Sequence, residues 1–277
     1  MKPAMTLLLS LALYLLSPAI ANAQLPVPNI DDFQLNTGGQ NCTPNKVYCS
    51  PKCWEWAYDS GIKGSPEACV NGVDVSSPSK DGNALEGEID FVDNYAGGRF
   101  NANLGVNDTT DTAFKYDIWV QYNDLSHVNN LEFDLNQVLA NGDTVIFGTQ
   151  CVFDSGHWQY TTNTGTPAHP IDTWNTSSAT CSKSDFSVGS WHHVIVSFKR
   201  ASACTPSTWQ GNCTVTYVSV KVDANLQTFT GAHSGPDEFT LAGWPVGGLI
   251  VNIQVDGDKA AAGHSMDFFA DVFTVRQ

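Results

Sequence analysis

The sequence predicts an all-β protein, specifically an antiparallel β-sandwich or jelly roll with a disulfide-stapled N-terminal cap. Beyond residue 83, short runs of alternating polar and apolar residues recur between turn signals such as Asn-Gly-Asp at 141–143. No helical periodicity of useful length is present. The composition is 42% hydrophobic but only 15% charged, which favours many short strands joined by tight turns. The predicted strands are residues 84–92, 114–122, 130–138, 144–152, 191–199, 214–222, 249–256 and 267–275.

The first residues are typical of a secretory signal peptide. Lys2 precedes an apolar run over residues 5–20, and Ala-Asn-Ala at 21–23 supplies a small-x-small cleavage pattern. We therefore expect residues 1–23 to be removed and the protein to be secreted. The alternative is an N-terminal membrane anchor, but the run is short for the roughly 20 residues that a bilayer needs.

The formal net charge of −15 argues against two classes of partner. An acidic surface repels the phosphates of nucleic acids and anionic lipids. We therefore expect neither nucleic acid nor a membrane surface as a partner, whereas neutral ligands, cationic partners and divalent cations are compatible.

The even number of cysteines in a chain expected outside the cell predicts disulfide bonds. Proximity in the sequence favours a bridge between the last two cysteines, a second between Cys151 and Cys181, and two among the first four. A zinc site would depend on the Cys-x-x-x-Cys at 49–53, which has no second close pair or nearby His. The eight positions are Cys42, Cys49, Cys53, Cys69, Cys151, Cys181, Cys204 and Cys213.

Residues 24–80 are expected to form a disulfide-rich cap on the sandwich of residues 81–277. The segment is irregular, and its Trp-Glu-Trp-Ala-Tyr stretch at 54–58 is compatible with one short helix. We expect the cap to join the sandwich as one domain, with residues 32–35 pairing beside the closing strand 267–275.

Strand alternation places a group of polar side chains on one face of each of four strands. Successive side chains of a strand point to opposite faces, so in residues 131–136 the acids oppose Leu131, Phe133 and Leu135. The same reasoning gives a polar set made of Asp117, Trp119, Gln121, Glu132, Asp134, Asn136, Gln150, Asn252, Gln254 and Asp256.

The chemistry of these polar positions favours a carbohydrate ligand. The solvent side of any sandwich alternates in this way, but such sides usually carry Lys, Glu, Thr and Ser. Carboxylates and amides suit the vicinal hydroxyls of a sugar, and an indole stacks on its apolar face. We therefore predict one glycan-binding sheet face whose central residues are Trp119, Glu132, Asp134, Gln150, Gln254 and Asp256.

Several segments of residues 80–277 resemble the concanavalin A-like lectin/glucanase superfamily of jelly rolls. The resemblance depends on Ser-Pro-Ser-Lys-Asp-Gly-Asn-Ala-Leu at 77–85, Trp-His-His-Val at 191–194, Val-Ser-Val-Lys-Val-Asp at 218–223 and Met-Asp-Phe-Phe-Ala-Asp-Val at 266–272. It implies a concave sheet that holds carbohydrate.

The same resemblance implies an enzymatic alternative, because members that cleave β-glucans carry Glu-x-Asp-x-x-Glu along one strand. Glu132 and Asp134 match the first two acids, but Gln137 stands at the third position and cannot donate a proton. A hydrolase using this array would need an acid from another strand, for which Asp256 is the candidate. The catalytic residues of this alternative are therefore Glu132, Asp134 and Asp256.

A second partial match lies at Glu88, Asp90 and Asp93, where the shorter Asp replaces the third acid. Either array needs a bulge to bring its sixth residue onto the face of the first and third. A solvated edge explains the second array equally well. No Gly-x-Ser-x-Gly sequence supports a Ser-His-Asp hydrolase.

The sequence predicts no cofactor and no catalytic metal site. Adjacent His192 and His193 would point to opposite faces of a strand, one to the core and one to the surface, so they are not a joint ligand pair. A structural calcium ion bound by Asp-Gly-Asp at 256–258 and Asp-Asp at 31–32 is the alternative to an ordinary turn.

The leading interpretation is a secreted polysaccharide-binding protein that uses the polar sheet face. A glycoside hydrolase of the same fold is the first alternative. An extracellular structural or adhesive protein without a glycan site is the second.

Overall fold

A computed structural model describes residues 34–35, 53–59, 68–140, 142, 144–165, 171–202, 214–229, 233–236, 238–239 and 248–276. Within these ranges nearly every element is a β-strand, and the single helical element is the 3-10 turn Lys183–Asp185. Two antiparallel sheets pack as a sandwich, so the predicted fold class is confirmed. The described ranges contain no helix that is long and apolar enough to cross a membrane.

The larger sheet has ten strands among the described residues and provides the polar face. Its path runs β1-β2-β5-β17-β7-β9-β10-β11, with β8 beside β7 and β16 beside β8. Its pairs are antiparallel except for β1 with β2. The strands are β1 (Gln34–Leu35), β2 (Cys53–Asp59), β5 (Gly97–Asn107), β7 (Val128–Val138), β8 (Thr144–Phe147), β9 (Thr149–Val152), β10 (His157–Asn163), β11 (Asp172–Thr180), β16 (Glu238–Phe239) and β17 (Gly248–Gly257).

The smaller sheet has eight strands among the described residues and covers the other side of the core. Its path runs β14-β13-β12-β6-β18-β4-β3, with β15 beside β13. The strands are β3 (Ala68–Val75), β4 (Ala84–Phe91), β6 (Ala113–Tyr122), β12 (His192–Arg200), β13 (Thr214–Val222), β14 (Asn225–Thr228), β15 (His233–Pro236) and β18 (Ser265–Arg276).

Aromatic side chains from the two sheets meet edge to face in the core. Phe100 of β5 contacts Phe268 of β18 with ring centroids 4.9 Å apart, and Tyr116 of β6 contacts Phe133 of β7 at 6.0 Å. The contact between Phe100 and Phe268 requires a glycine at position 87, because a Cβ there would lie 2.2 Å from the Phe268 ring. These contacts bury the inward-pointing apolar side chains of each strand. The alternate, polar side chains remain on the outer faces of the two sheets.

Two predictions about residues 24–80 are wrong. The segment Cys53–Asp59 is a strand rather than a helix, since it pairs with β5 from Trp54–Ala102 to Asp59–Gly97. Gln34 and Leu35 pair in parallel with Cys53 and Trp54, not with the closing strand. The closing strand β18 already has β4 and β6 on its two sides.

The predicted bridge between Cys151 and Cys181 is confirmed, with a Cα–Cα distance of 5.8 Å. It links the end of β9 to the residue after β11, across the intervening β10. Cys69 is also disulfide-bonded. The predicted pair Cys204–Cys213 and the predicted signal peptide lie outside the described residues.

Candidate functional site

The structure divides the predicted site between two sheets. Glu132, Asp134, Gln150, Asn252 and their neighbours belong to the ten-stranded sheet. Asp117, Trp119 and Gln121 belong to β6 in the eight-stranded sheet, on its outer face. The prediction that all these side chains share one face is therefore wrong for the three residues of β6. Alternation within each strand was read correctly, but strand order is set by non-local pairing.

Neighbouring side chains cover the Trp119 indole in this arrangement. The His193 ring stacks on it with centroids 4.5 Å apart, and Lys80 Nζ lies 3.7 Å from its ring centroid. His193 lies opposite Trp119 on β12, whereas the Lys80 N–H donates to Asp271, which lies opposite Trp119 on β18. The two contacts thus come from opposite sides and occupy both faces of the indole.

The residues of the ten-stranded sheet remain together on its outer face, which we call the polar face. Leu131, Phe133 and Leu135 point into the core, so the alternate positions of β7 point away from it. The polar face comprises Arg99, Asn101, Asn130, Glu132, Asp134, Asn136, Gln150, Gln159, Asn252, Gln254 and Asp256.

One row of the polar face crosses six strands in register. Residue pairing runs from Arg99 through Gln254, Glu132, Gln150 and Gln159 to Thr176. Neighbouring strands lie about 4.7–4.9 Å apart, so the row is about 24 Å long. A row of this length suits an extended oligosaccharide better than a single sugar.

Amides from neighbouring strands hold the carboxylates in place. Asn252 Nδ2 donates to Glu132 Oε1 at 3.3 Å and to Asp134 Oδ2 at 3.2 Å. These three residues are only 2%, 8% and 7% exposed, although they lie on the face opposite the core. Because buried polar groups need partners, this network fixes the floor of the face.

A second group of amides extends the network along the face. Asn130 Nδ2 donates to Gln150 Oε1 at 3.0 Å and to the carboxylate of Asp256, and Gln254 Nε2 donates to Asp256 Oδ1 at 3.0 Å. Gln150 Nε2 in turn donates to Gln159 Oε1 at 3.0 Å. The polar side chains are therefore held in one orientation before any ligand arrives.

Burial raises the pKa of Asp134 above its ordinary value. Hydrogen bonds with Glu132, the Thr149 backbone N–H and Asn252, together with the charge of Arg99, act in the opposite direction but do not cancel it. A carboxyl group whose pKa is raised can hold a proton and donate a hydrogen bond. Asp134 therefore takes up a proton more readily than an exposed aspartate does.

Two acceptors on the polar face lack a partner within the described residues. Asn252 Oδ1 and Asn136 Oδ1 are buried and accept no hydrogen bond there. Their residues are neighbours in the sheet, because Asn136 pairs with Ile250 and Asn252 pairs with Asp134. A hydroxyl donor at this place would satisfy groups that are otherwise costly to bury.

The three predicted catalytic acids are not arranged as one constellation. Glu132 and Asp134 share the Asn252 amide, whereas Asp256 is held by Asn130 and Gln254. Gln137 lies opposite Leu249 on the core side and accepts a hydrogen bond from Arg200 Nε at 2.6 Å. No bulge therefore brings the sixth residue of the array onto the polar face.

The second acidic array lies on the other sheet. Glu88 and Asp90 point outward from β4, and Asp93 follows the end of that strand. Glu88 Oε2 accepts a hydrogen bond from Asn71 Nδ2 at 2.7 Å. The two arrays consequently do not combine into one site.

The Asp-Gly-Asp segment at 256–258 behaves as a turn in its described contacts. Asp258 Oδ1 accepts the Ala260 N–H at 2.7 Å and lies 3.8 Å from His127 Nδ1. The described ranges contain no group of three or more side chains that could hold a metal ion. Residues 31–32, the other half of the calcium alternative, lie outside those ranges.

Trp174 is an aromatic residue that the sequence reasoning missed. It is half-buried on β11, where Ser177 and Ala179 are buried and Thr176 is exposed. Alternation places Trp174 on the side of Thr176, which is the last position of the cross-strand row. This strand is rich in Thr, Ser and Asn, so it lacks the alternation of polar and apolar residues that marks other strands. Its side chains nevertheless point alternately inward and outward.

Comparison with known proteins gives β-sandwich neighbours at low similarity. A carbohydrate esterase from the Shiga toxin-encoding bacteriophage phi24B is 10% identical, with a TM-score of 0.35 over 80% of this chain and 89% of that one. The xylan-binding domain CBM22-1 of Paenibacillus barcinonensis Xyn10C is 9% identical, with a TM-score of 0.34 over 92% and 96%.

A carbohydrate-binding module of the β-sandwich superfamily is 8% identical, with a TM-score of 0.37 over 81% of this chain. The match spans 57% of that protein. No protein-family model and no curated protein matches the chain. Similarity at this level does not bear on function, which must be argued from the residues.

Proposed function

We propose that the protein is a secreted polysaccharide-binding protein whose ligand lies along the polar face. The observation that carries this proposal is the pair of buried acceptors, Asn136 Oδ1 and Asn252 Oδ1, within a fixed network of amides and carboxylates. Such a surface calls for a neutral ligand with many hydroxyl donors. The net charge of −15 disfavours anionic ligands.

The polar face has a buried floor and a more accessible rim. Asn252 and Asp134 form the floor, while Arg99, Gln159 and Trp174 are half-buried and able to touch a ligand. An indole at the end of the row supplies an apolar surface for a sugar ring. Because the floor is already ordered, little side-chain entropy is lost on binding.

A glycoside hydrolase of the same fold is the second candidate, and the raised pKa of Asp134 is the observation that favours it. A general acid must keep its proton near the operating pH. However, retaining hydrolysis needs two carboxyl groups about 5–5.5 Å apart on either side of the bond, whereas Asp134 and Glu132 lie two residues apart on one strand and share the Asn252 amide. The binding role is therefore the better fit.

A screen against a panel of neutral and acidic polysaccharides tests both candidates. A binding protein depletes from solution onto its polysaccharide and releases no new reducing ends, whereas a hydrolase releases them. Failure to retain any neutral polysaccharide in affinity electrophoresis would remove the proposal and leave a structural or adhesive role.

The variant Asp134→Asn separates the two candidates on one ligand. An amide at this position still accepts hydrogen bonds, so a binding protein keeps affinity within about threefold. A hydrolase loses turnover by about 100-fold or more while retaining its substrate. The matched control is Asp117→Asn on the other sheet, which should change neither affinity nor turnover.

A further inference from the structure

A serine, a histidine and an aspartate lie in contact at the start of β12. The serine is in the loop before that strand, and the aspartate is in the turn after β13. Ser187 Oγ lies 3.2 Å from His192 Nε2, and His192 Nδ1 lies 2.8 Å from Asp223 Oδ2. Ser187 is exposed, whereas His192 is 6% exposed. An accessible hydroxyl thus touches a shielded imidazole that is held from behind by a carboxylate.

Asp223 is fixed in position by its own backbone and by the neighbouring strand. Its second carboxylate oxygen accepts the His193 N–H at 2.8 Å, and its N–H donates to His193 O at 2.9 Å. Asp223 has a φ of 53°, a left-handed conformation that Gly, Asn and Asp adopt more readily than other residues. The turn that follows β13 therefore holds the carboxylate against β12.

These contacts determine the tautomer of His192. The ionised Asp223 only accepts hydrogen bonds, so Nδ1 carries the proton and Nε2 presents its lone pair to Ser187. The Ser187 carbonyl oxygen also lies 3.1 Å from Nε2, and it can accept a hydrogen bond only after Nε2 gains a proton. Asp223 and this carbonyl therefore both lie within hydrogen-bond distance of the imidazole that receives the serine proton.

The ionisation of Asp223 is compatible with this role. Burial acts to raise its pKa, but the hydrogen bonds from His193 N–H and the His192 side chain, with the charges of both imidazoles, lower it below the ordinary value. The edge of the Phe186 ring packs against the imidazole with centroids 5.9 Å apart. The carboxylate thus stays charged, and the ring keeps its orientation.

We propose that Ser187, His192 and Asp223 form a nucleophile–base–carboxylate triad that hydrolyses esters of small acyl groups. The triad is formed by the loop before β12, the first residue of β12 and the turn after β13. Both strands belong to the eight-stranded sheet, so the triad is separate from the polar face. Residues 187–190 are all exposed. An ester of a small acyl group, such as an acetyl ester, can therefore reach Ser187 without needing a pocket for the acyl chain.

The reaction balances with an ester and water alone. Ser187 Oγ bonds to the acyl carbon as its proton passes to His192 Nε2, and the carbonyl electron pair moves to oxygen. Collapse of this adduct breaks the ester C–O bond, and the leaving alkoxide takes the proton from Nε2 to depart as an alcohol. Water then attacks the acyl-serine by the same route, which releases the carboxylic acid and restores Ser187.

The loop provides limited stabilisation of the developing oxyanion. The Gly189 N–H donates to Tyr122 O at 2.9 Å, and the Ser190 N–H donates to Ser187 O at 3.2 Å. These two donors are therefore not available to a tetrahedral oxyanion, a contribution that is often large in hydrolases. We expect slow turnover, so covalent labelling of the serine is the more sensitive test.

The test uses the full oxidised protein with a fluorophosphonate probe and p-nitrophenyl acetate. The probe should label Ser187 by peptide mass spectrometry, and Ser187→Ala should lose both the label and hydrolysis above the protein-free rate. Ser190→Ala, in the same exposed loop, should keep both. Absence of label on Ser187 in the native protein, or unchanged hydrolysis in Ser187→Ala, would overturn the triad.

The variant Asp223→Asn tests the positioning of His192 without breaking the turn. Asn tolerates the left-handed conformation and can still accept the His193 N–H, so the fold should be retained. Its amide favours the opposite tautomer, so both labelling and hydrolysis should slow by about 100-fold or more. A rate equal to that of the native protein would show that the carboxylate orients no catalytic base.

Discussion

The outer faces of the two sheets are built from the same residue types but behave differently. On the ten-stranded sheet, Glu132 and Asp134 are buried and share the amide of Asn252. On the eight-stranded sheet, burial and then the charges of Asp267 and Glu88 raise the pKa of Glu86, and burial and then the charges of Glu88 and Asp90 raise the pKa of Asp267. On the ten-stranded sheet, amides link several carboxylates into one network. On the eight-stranded sheet, Glu88 and Asp267 accept separate amides from Asn71 and Asn123, and neighbouring acids repel one another.

The largest expected difference concerns stability. Asn252→Leu keeps the approximate shape of the side chain but removes the donor shared by two buried carboxylates. A hydrogen bond to a charged group contributes about 1.5–3 kcal/mol, and each carboxylate loses one, so we expect the free energy of unfolding to fall by about 3 kcal/mol. Urea unfolding at neutral pH measures it.

The matched variant on the other face is Gln121→Leu, at a half-buried outward position of β6. Surface changes of this kind usually stay within about 0.5 kcal/mol. Equal effects of the two variants would show that the polar face is an ordinary solvent side, and would weaken the proposed function.

The next effect concerns ligand binding by the two outward tryptophans. Trp174→Ala should weaken binding to the retained polysaccharide about tenfold, the loss of about 1.4 kcal/mol expected for one stacked aromatic ring. Trp119→Ala should leave affinity within about twofold, because Lys80 and His193 already cover its indole. Isothermal titration calorimetry measures both.

A reversed result would be equally informative. If Trp119→Ala abolished binding while Trp174→Ala did not, the ligand would lie on the eight-stranded sheet. The Lys80–Trp119–His193 stack would then have to open on binding. The proposed site on the polar face would be wrong.

The sequence predicted most of the strands whose side chains alternate strongly. The eight predicted strands are all present, and the one at 144–152 is divided at Gly148, where a Cβ would lie 2.7 Å from Thr161. β5 was missed because Gly97 and Gly98 read as a turn, and β11 because its side chains are nearly all polar. Apolar side chains do alternate at 100, 102, 104 and 106 of β5, so the glycines at its start concealed that strand, whereas β11 has too few apolar side chains for their period to be counted.

The site was predicted only in part, for a different physical reason. The alternation of side chains along each strand correctly placed Glu132, Asp134 and Asn252 on the outward side. The same reasoning also grouped Trp119 with them. Sheet membership depends on which strands pair, and β6 pairs with β12 and β18 rather than with β7. The contact between Ser187 and His192 likewise depends on a loop conformation that no sequence motif marks.

The smallest expected effect concerns the pH dependence of stability on the two faces. Asp134 and Asp267 both have pKa values raised above 3.8 in the folded protein. Between that ordinary value and the raised one, the folded state binds more protons than the unfolded state, so stability falls as pH rises through this window. Asp134→Asn and Asp267→Asn should each gain stability relative to the native protein as pH rises from about 4 to 7.

High salt should distinguish the effect of Asp134 on the pH dependence of stability from that of Asp267. For Asp134, burial is the cause that raises the pKa, and screening by salt does not relieve desolvation. For Asp267, burial acts together with the charges of Glu88 and Asp90, and the residue is partly exposed. In about 1 M NaCl, where the Debye length is about 3 Å, the advantage of Asp267→Asn should shrink while that of Asp134→Asn persists in urea unfolding. Equal loss of both advantages would mean that the polar face is as open to solvent as the opposite face.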